Sequence, residues 1–555
     1  MIPHRTGRPG RVAWPGRPAA RLLRPRTIAA VNPRRLRTSR PGRLRTPRTA
    51  VTLLAAGTWL VASCSASPAP GASGVTGSAA ASARASTAAS PGSPATAGAS
   101  GARTGSVPQV STAPPGTQVT GTLGNGTTWI AQYPQSWNGT LVLYSHGYGS
   151  LTAADAPDEP TQQALLAQGF ALAGSSYDPS GSEWALNTAV SDQLGALTAV
   201  ESTVLPRQPA HVIAFGTSMG GLVSALEAEQ GRGRIDGALT TCGVVAGGVS
   251  LDDYQLDGEY VITQLLGDPA TQLTGLDDQT AATTGQVLTG DASQAQQSAA
   301  GQARLALAMA FLNMPAWAPG AAAPAPAGQP AAQEAAQYQA LTGDFDNALE
   351  FMIGGRESIE QSAGGQPASD AGTNFAQALA ASPYQGEVKA LYQAAGLSLA
   401  ADLATLTAHA TTRASPSALA ALRASSQPSG RLTVPELDLH TTGDNLVPVQ
   451  QENYYARQVA AAGSGSLLRQ AYTDSQGHCN FSVSEQVAGI QAVLERVTSG
   501  QWGDVAAAAS LERAAAALGA GPARFTGYSP GALTGAAPAG AVTARVPAGH
   551  ADGSA

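Results

Sequence analysis

Three side chains, far apart in this sequence, have the types needed to turn a hydroxyl into a nucleophile. Ser218 sits in Gly216-Thr217-Ser218-Met219-Gly220, a G-x-S-x-G pattern. Asp444 lies in Thr441-Thr442-Gly443-Asp444-Asn445-Leu446-Val447-Pro448, and His478 in Gly477-His478-Cys479-Asn480-Phe481. A serine hydroxyl attacks a carbonyl poorly until an imidazole accepts its proton. The imidazolium that forms must then be held and balanced by a carboxylate.

The pattern around Ser218 has little weight alone in a chain with 64 glycines, so its flanks decide. Val212–Phe215 is an unbroken apolar run, suited to a strand buried on both faces of a parallel sheet. Met219, Leu222, Val223 and Leu226 then recur at helical spacing. The stretch from His211 to Leu226 is therefore read as strand, sharp turn and helix, not as a glycine-rich connection carrying an incidental serine. Glycines at 216 and 220 leave room for neighbouring backbone at such a turn. The Met219 N–H, at the positive end of the helix, is free to face a developing oxyanion.

Other elements follow the same logic. Thr117–Thr122 and Thr127–Tyr133, separated by Gly124-Asn125-Gly126, read as a hairpin. Leu141–Tyr144, Gly169–Ser175, Ile235–Cys242, Leu432–His440 and Leu467–Tyr472 read as strands. Helices follow at Val190–Val204 and Val483–Val497. Strands alternating with helices predict an α/β sheet covered on both faces, with Ser218, Asp444 and His478 all at carboxyl ends of strands. Between about Ser250 and Pro428 the pattern is helical, broken by Pro315–Pro330. This segment is read as a cap inserted between two strands.

The order Ser218, Asp444, His478, together with the elbow, the Asp-x-x-Val-Pro loop and the Gly-His loop, resembles the α/β-hydrolase superfamily over residues 116–500. Within it the chain looks like secreted bacterial serine esterases with a helical cap. The resemblance implies an α/β-hydrolase fold in segments 116–249 and 429–500, with residues 250–428 as the cap. It also makes His146-Gly147-Tyr148-Gly149 the oxyanion loop, with the Tyr148 N–H as second donor beside Met219 and His146 shaping the loop. No cofactor and no metal are implied. Among the other histidines, His4 and His550 lie in the terminal stretches, His211 at the opposite end of its strand and His409 in the cap. His440 closes the strand before Asp444 and is placed beside the site. Asp438 falls inside a strand and Asp474 too near His478 to serve as its carboxylate.

Composition bounds the rest. Residues 1–49 carry 14 Arg and no acid, and the first acidic residue is Asp155. The remainder holds 17 basic against 37 acidic groups, a poor surface for nucleic acid. Arg-rich residues 1–49, the apolar run Ala50–Val61 and Ala62-Ser63-Cys64 read as a signal peptide (residues 1–64). A run of twelve residues is too short to span a bilayer. Val61-Ala62-Ser63-Cys64 resembles a bacterial lipobox, which implies lipidation of Cys64 and a membrane contact through that anchor only. Residues 65–115, rich in Ala, Ser, Gly and Pro, read as a disordered tether, and residues 501–555 as a low-complexity tail with a short helix near 506–518.

In that oxidising compartment, Cys242 and Cys479 fall on the same rim of the sheet and are expected to form a disulfide. The expected activity is cleavage of small carboxylic esters through an acyl-enzyme. A capped serine peptidase is the alternative, with Asp252, Asp253 or Glu259 binding a free amine unless they are merely solvated helix surface. A non-catalytic surface-binding lipoprotein on the same scaffold is the third reading. Substrate identity and oligomeric state have no signal in the sequence.

Overall fold

The computed structural model describes residues 113–343 and 347–535. The leader, Cys64, the tether up to residue 112 and the last twenty residues lie outside them. Nine strands form one sheet: β1 Val119–Thr122, β2 Thr128–Gln132, β3 Thr140–Ser145, β4 Ala171–Ser175, β5 His211–Thr217, β6 Gly237–Thr241, β7 Glu436–Gly443, β8 Leu468–Gln476 and β9 Phe525–Thr526. Their spatial order is β1-β2-β4-β3-β5-β6-β7-β8-β9. Strands β3 to β8 run parallel, while β1, β2 and β9 pair antiparallel at the two edges. The central strands β3, β4 and β6 are buried at every residue, which is why they read as continuous apolar or small-residue runs.

Helices α1 Glu159–Ala167, α2 Ala189–Thr203 and α3 Met219–Gln230 alternate with these strands. Nine more lie between β6 and β7: α4 Gly248–Leu265, α5 Asp278–Ala295, α6 Ala299–Phe311, α7 Pro330–Thr342, α8 Ala348–Ala363, α9 Phe375–Ala381, α10 Gln385–Ala394, α11 Leu399–His409 and α12 Pro416–Ser426. The described part of this segment contains no strand, and residues 315–329 hold no helix. Helices α13 Gln450–Ala461, α14 Val483–Ser499 and α15 Ala508–Leu518 complete the chain. Among the described residues no helix is long and apolar enough to cross a membrane.

The sheet has an apolar layer on each face. On one, Val142, Phe215, Leu239 and Leu437 pack against Leu165 of α1 and Val487, Ile490 and Val493 of α14. On the other, Leu141, Leu143, Val212 and Ala238 meet Leu197 and Val200 of α2 and Tyr455 and Val459 of α13. A third cluster joins Met219 and Leu222 of α3 to the helices inserted after β6.

Three differences from the sequence reading have physical causes. Helix α1 carries a thin apolar stripe, starting on Asp158, whose carboxylate caps the Thr161 N–H, and on Pro160 in its first turn. Helix α13 buries Gln451, Glu452 and Gln458 beside its tyrosines, so its inward face looks polar in the sequence. The folded region also runs on to residue 535. Leu511 and Ala515 of α15 are buried, and Thr534 N–H and C=O pair with the buried Asn313 side chain. Low complexity thus does not prevent residues 501–535 from packing.

Candidate active site

Strand β5 ends at Thr217, and the chain reverses at Ser218 with φ 60° and ψ −122°, outside the ordinary L-residue regions. Neighbouring backbone fixes that angle. The Ser218 N–H donates to the Thr241 carbonyl at the end of β6 (3.0 Å), and the Gly221 N–H donates back to the Ser218 carbonyl (2.9 Å). A Cβ at position 216 would lie 1.8 Å from the Gly220 oxygen, and one at 220 would lie 1.9 Å from the Ser145 oxygen. Only hydrogen fits at either position, so the helix closes onto the strand and the serine side chain projects from the rim.

The other two side chains arrive from the next strand ends. Asp444 follows β7 directly, and its Oδ1 accepts the N–H groups of Leu446 (3.0 Å) and Val447 (2.8 Å). His478 follows β8, where the Gly477 N–H donates to Gly443 O (2.9 Å) and the Thr441 hydroxyl to Gly477 O (2.9 Å). The structure brings all three together. His478 Nδ1 stands 2.8 Å from Asp444 Oδ2, and Nε2 stands 2.8 Å from Ser218 Oγ. Facing a carboxylate, Nδ1 carries the proton, which leaves Nε2 as acceptor for the serine hydroxyl. Asp444 is buried, and burial alone would raise its pKa. The His478 imidazole first, and then the Val447 N–H, outweigh that and hold it below the ordinary aspartate value.

Cys242 and Cys479 are disulfide-bonded, with Cα atoms 5.3 Å apart and a sequence separation of 237. The bond links the end of β6 to the residue after His478. The Cys479 sulfur also lies 3.3 Å from His478 Nε2.

The His146–Gly149 loop passes over the elbow. A Cβ on Gly147 would be 3.3 Å from Ser218 Cβ. His146 stacks on Tyr177 at 4.2 Å between centroids, and the Tyr177 hydroxyl donates to the His146 carbonyl (2.8 Å). Burial lowers the His146 pKa, so this ring is a neutral packing element of the loop. Tyr148 has a further role the sequence did not disclose. Its hydroxyl donates to Gly354 O (3.2 Å), pairs with Ser358 Oγ (3.0 Å), and its ring meets Phe351 edge-on, tying the loop to α8.

Ser218 and His478 open into a cleft of about 460 Å³, its open mouth included. The strand-end side offers Tyr148, Met219, Val244, Leu446 and Val447. The helical insertion offers Leu251, Gln255, Phe351, Met352, Gly355 and Ile359, with Trp184 completing the wall. No Asp, Glu, Lys or Arg lines it among the described residues.

The acidic residues expected near an amine are not there. Asp252 and Glu259 of α4 are buried against the fully buried Arg356 of α8, at 2.9 and 2.8 Å. Asp253 accepts the Ser369 N–H (2.9 Å). The first two are neither solvated helix surface nor cleft groups; they neutralise a guanidinium that joins two wall helices. Sequence reasoning missed Arg356 because nothing near it marks an isolated arginine as buried. It also missed Gln193, whose amide ties Ser145 Oγ and Tyr144 O to the Ser175 N–H, bracing β3 against β4.

The parallel order β4-β3-β5-β6-β7-β8, a strained serine between β5 and α3, and partners at the ends of β7 and β8 form one pattern. The fold is that of the α/β-hydrolases. No protein-family model matches the chain. The o-phthalyl amidase of Xanthobacter agilis is 27% identical over 421 residues, covering 70% of this chain and 88% of the amidase. Among solved structures, feruloyl esterase B from Aspergillus oryzae aligns with 13% identity and TM-score 0.37, over 69% of this chain and 80% of the esterase. The acylaminoacyl peptidase of Pyrococcus horikoshii aligns with 8% identity and TM-score 0.28, over 65% of this chain and 37% of the peptidase. The insertion between β6 and β7 supplies about half of the cleft wall, so both parts of the chain line it.

Proposed function

We propose that this chain is a serine hydrolase that cleaves small, uncharged carboxylic esters through an acyl-enzyme on Ser218. The observation that carries the reading is the continuous hydrogen-bonded line from Ser218 Oγ through His478 to Asp444 at 2.8 Å per step. Ser218 Oγ attacks the acyl carbon as its proton passes to His478 Nε2. Asp444 holds the imidazole in the tautomer that can accept it. The Tyr148 and Met219 N–H groups are assigned to the oxyanion. Collapse breaks the bond to the leaving group, which takes the proton from His478, and water reverses the sequence to release the acid. The apolar cleft favours a neutral acyl or alcohol group and excludes water.

Amide cleavage is the second reading, favoured by the similarity to an amidase. Recognition of a free amine, as an aminopeptidase needs, has less support, because Asp252 and Glu259 are spent on Arg356 and Asp253 on the Ser369 backbone. The leader reading is proposed alongside: a lipid on Cys64 would hold the enzyme on the outer face of a membrane. Metabolic labelling with a clickable fatty acid tests that, and an unlabelled mature product refutes it.

The deciding experiment is reaction with a fluorophosphonate probe, followed by rates on p-nitrophenyl esters, neutral aryl amides and aminoacyl anilides. Ser218→Ala should abolish labelling and lower turnover roughly a thousandfold or more, with the fold intact. Turnover by the purified variant at the parent rate refutes the assignment.

A further inference from the structure

Behind Asp444 lies a second, wholly buried histidine that the proposed chemistry does not use. His440, in β7, has no exposed side-chain surface. Its Nε2 is 2.8 Å from the Val447 carbonyl and 3.6 Å from Asp444 Oδ2, while its Nδ1 is 2.8 Å from Glu452 Oε1 of α13. A carbonyl oxygen can only accept, so Nε2 must carry a hydrogen. The remaining question is which partner owns the proton between Nδ1 and Glu452.

The surroundings answer it. Glu452 faces Asp438, whose own neighbours are Glu436 and the Thr240 hydroxyl (2.6 Å); Gln470 donates to Glu452, and Tyr455 donates to Glu436 (3.1 Å). Tyr472 adds a second phenol on the β8 side. All three carboxyl groups are buried, and among the described residues no Lys or Arg is bonded to them. Carboxyl groups in such contact cannot all be ionised. Burial also pushes Glu452 up to about 8 and His440 down. In a fully buried contact of 2.8 Å the arrangement that separates no charge is favoured, so the proton is assigned to Glu452, whose O–H donates to a neutral His440.

We propose that His440 is a positioning residue: neutral, with Glu452–OH on Nδ1, it uses Nε2–H to clamp the Val447 carbonyl and so fixes the turn that holds Asp444. The link is short. Val447 returns its own N–H to Asp444 Oδ1, so the clamp acts one peptide unit from the carboxylate facing His478. A neutral His440 also leaves the negative charge of Asp444 for the His478 imidazolium, where an imidazolium at 440 would draw on it.

The inference rests on the proposed triad, and the test separates the two. Wild type, Glu452→Gln and His440→Leu are compared for fluorophosphonate labelling, kcat, KM and the pH dependence of kcat/KM. A wild type that does not label overturns the triad reading itself. With a labelling wild type, Glu452→Gln, whose amide N–H replaces the carboxyl O–H, should keep kcat within about twofold and leave the acid limb in place. His440→Leu should lose roughly tenfold to a hundredfold in kcat with KM little changed. A His440→Leu enzyme that folds and turns over at the parent rate overturns the proposal. So does an acid limb displaced by about one unit or more in Glu452→Gln, since that variant would then have removed a counter-charge from an imidazolium. If His440→Leu does not fold, the Glu452→Gln profile decides alone.

Discussion

Cys479, the residue after His478, is covalently joined to Cys242 at the end of β6. Both half-cystines have positive φ, 45° and 54°. The loop carrying the imidazole is therefore tied to the strand whose Thr241 carbonyl also receives the Ser218 N–H. Ser218 and His478 are referenced to the same strand end.

Cutting this tie should loosen the base more than it unfolds the chain. Cys242→Ser/Cys479→Ser is expected to lose about 2–4 kcal/mol of stability and roughly tenfold or more in kcat with KM nearly unchanged. Thermal melts and steady-state rates check both. An unchanged kcat would mean that the Gly477–Gly443 and Thr441–Gly477 hydrogen bonds alone hold His478.

Gly220→Ala should be far worse than its single methyl suggests. The new Cβ would sit 1.9 Å from the Ser145 carbonyl oxygen, and that neighbour is backbone. The strand–helix joint must open, so we expect a loss of more than about 3 kcal/mol or insoluble expression. A soluble Gly220→Ala enzyme with the parent melting temperature contradicts the close approach.

Arg356→Met tests the buried ion cluster behind the cleft wall. Asp252 and Glu259 would be left buried without a counter-charge, a loss of about 3–5 kcal/mol. The triple variant with Asp252→Asn and Glu259→Gln should recover most of it. Because α4 and α8 also supply Leu251, Gln255 and Met352 to the cleft, the single variant should raise KM. Chemical denaturation and ester kinetics give the two readouts. Parent-like stability in the single variant would show that the charges do not depend on Arg356.

Buried carboxyl groups should make the native state lose stability as pH rises. Glu387 and Glu452 are each raised by burial from 4.5 to about 8. Between those values the folded state keeps protons that the unfolded chain releases. Stability is therefore full below about 4.5, declines through this window by up to about 1.4 kcal/mol per pH unit per group, and levels off above about 8. Asp444, held low, acts oppositely, its contribution disappearing only as pH falls through its depressed value. Glu387→Gln should flatten the decline and melt higher than the parent at pH 8–9. Parallel melting curves from pH 5 to 9 would refute this.

How much of this was legible in the sequence depends on the range of the interactions. Val212–Leu226 declares strand, turn and helix because its apolar spacing and its two small residues are local demands of the elbow. The loops around Asp444 and His478 were legible for the same reason, as short polar segments following apolar runs. Helix α13 was not, since its buried Gln451, Glu452 and Gln458 become acceptable only with partners from β7, β8 and other distant segments. For Asp252 and Glu259 neither an amine site nor solvated surface holds, because their partner Arg356 stands about a hundred residues away and has no local signal. Chemical type and local periodicity are written along the chain. Charge state, cleft shape and the contact between residues 218, 444 and 478 arise only when the parallel strands bring distant ends to one rim and remove water from between them.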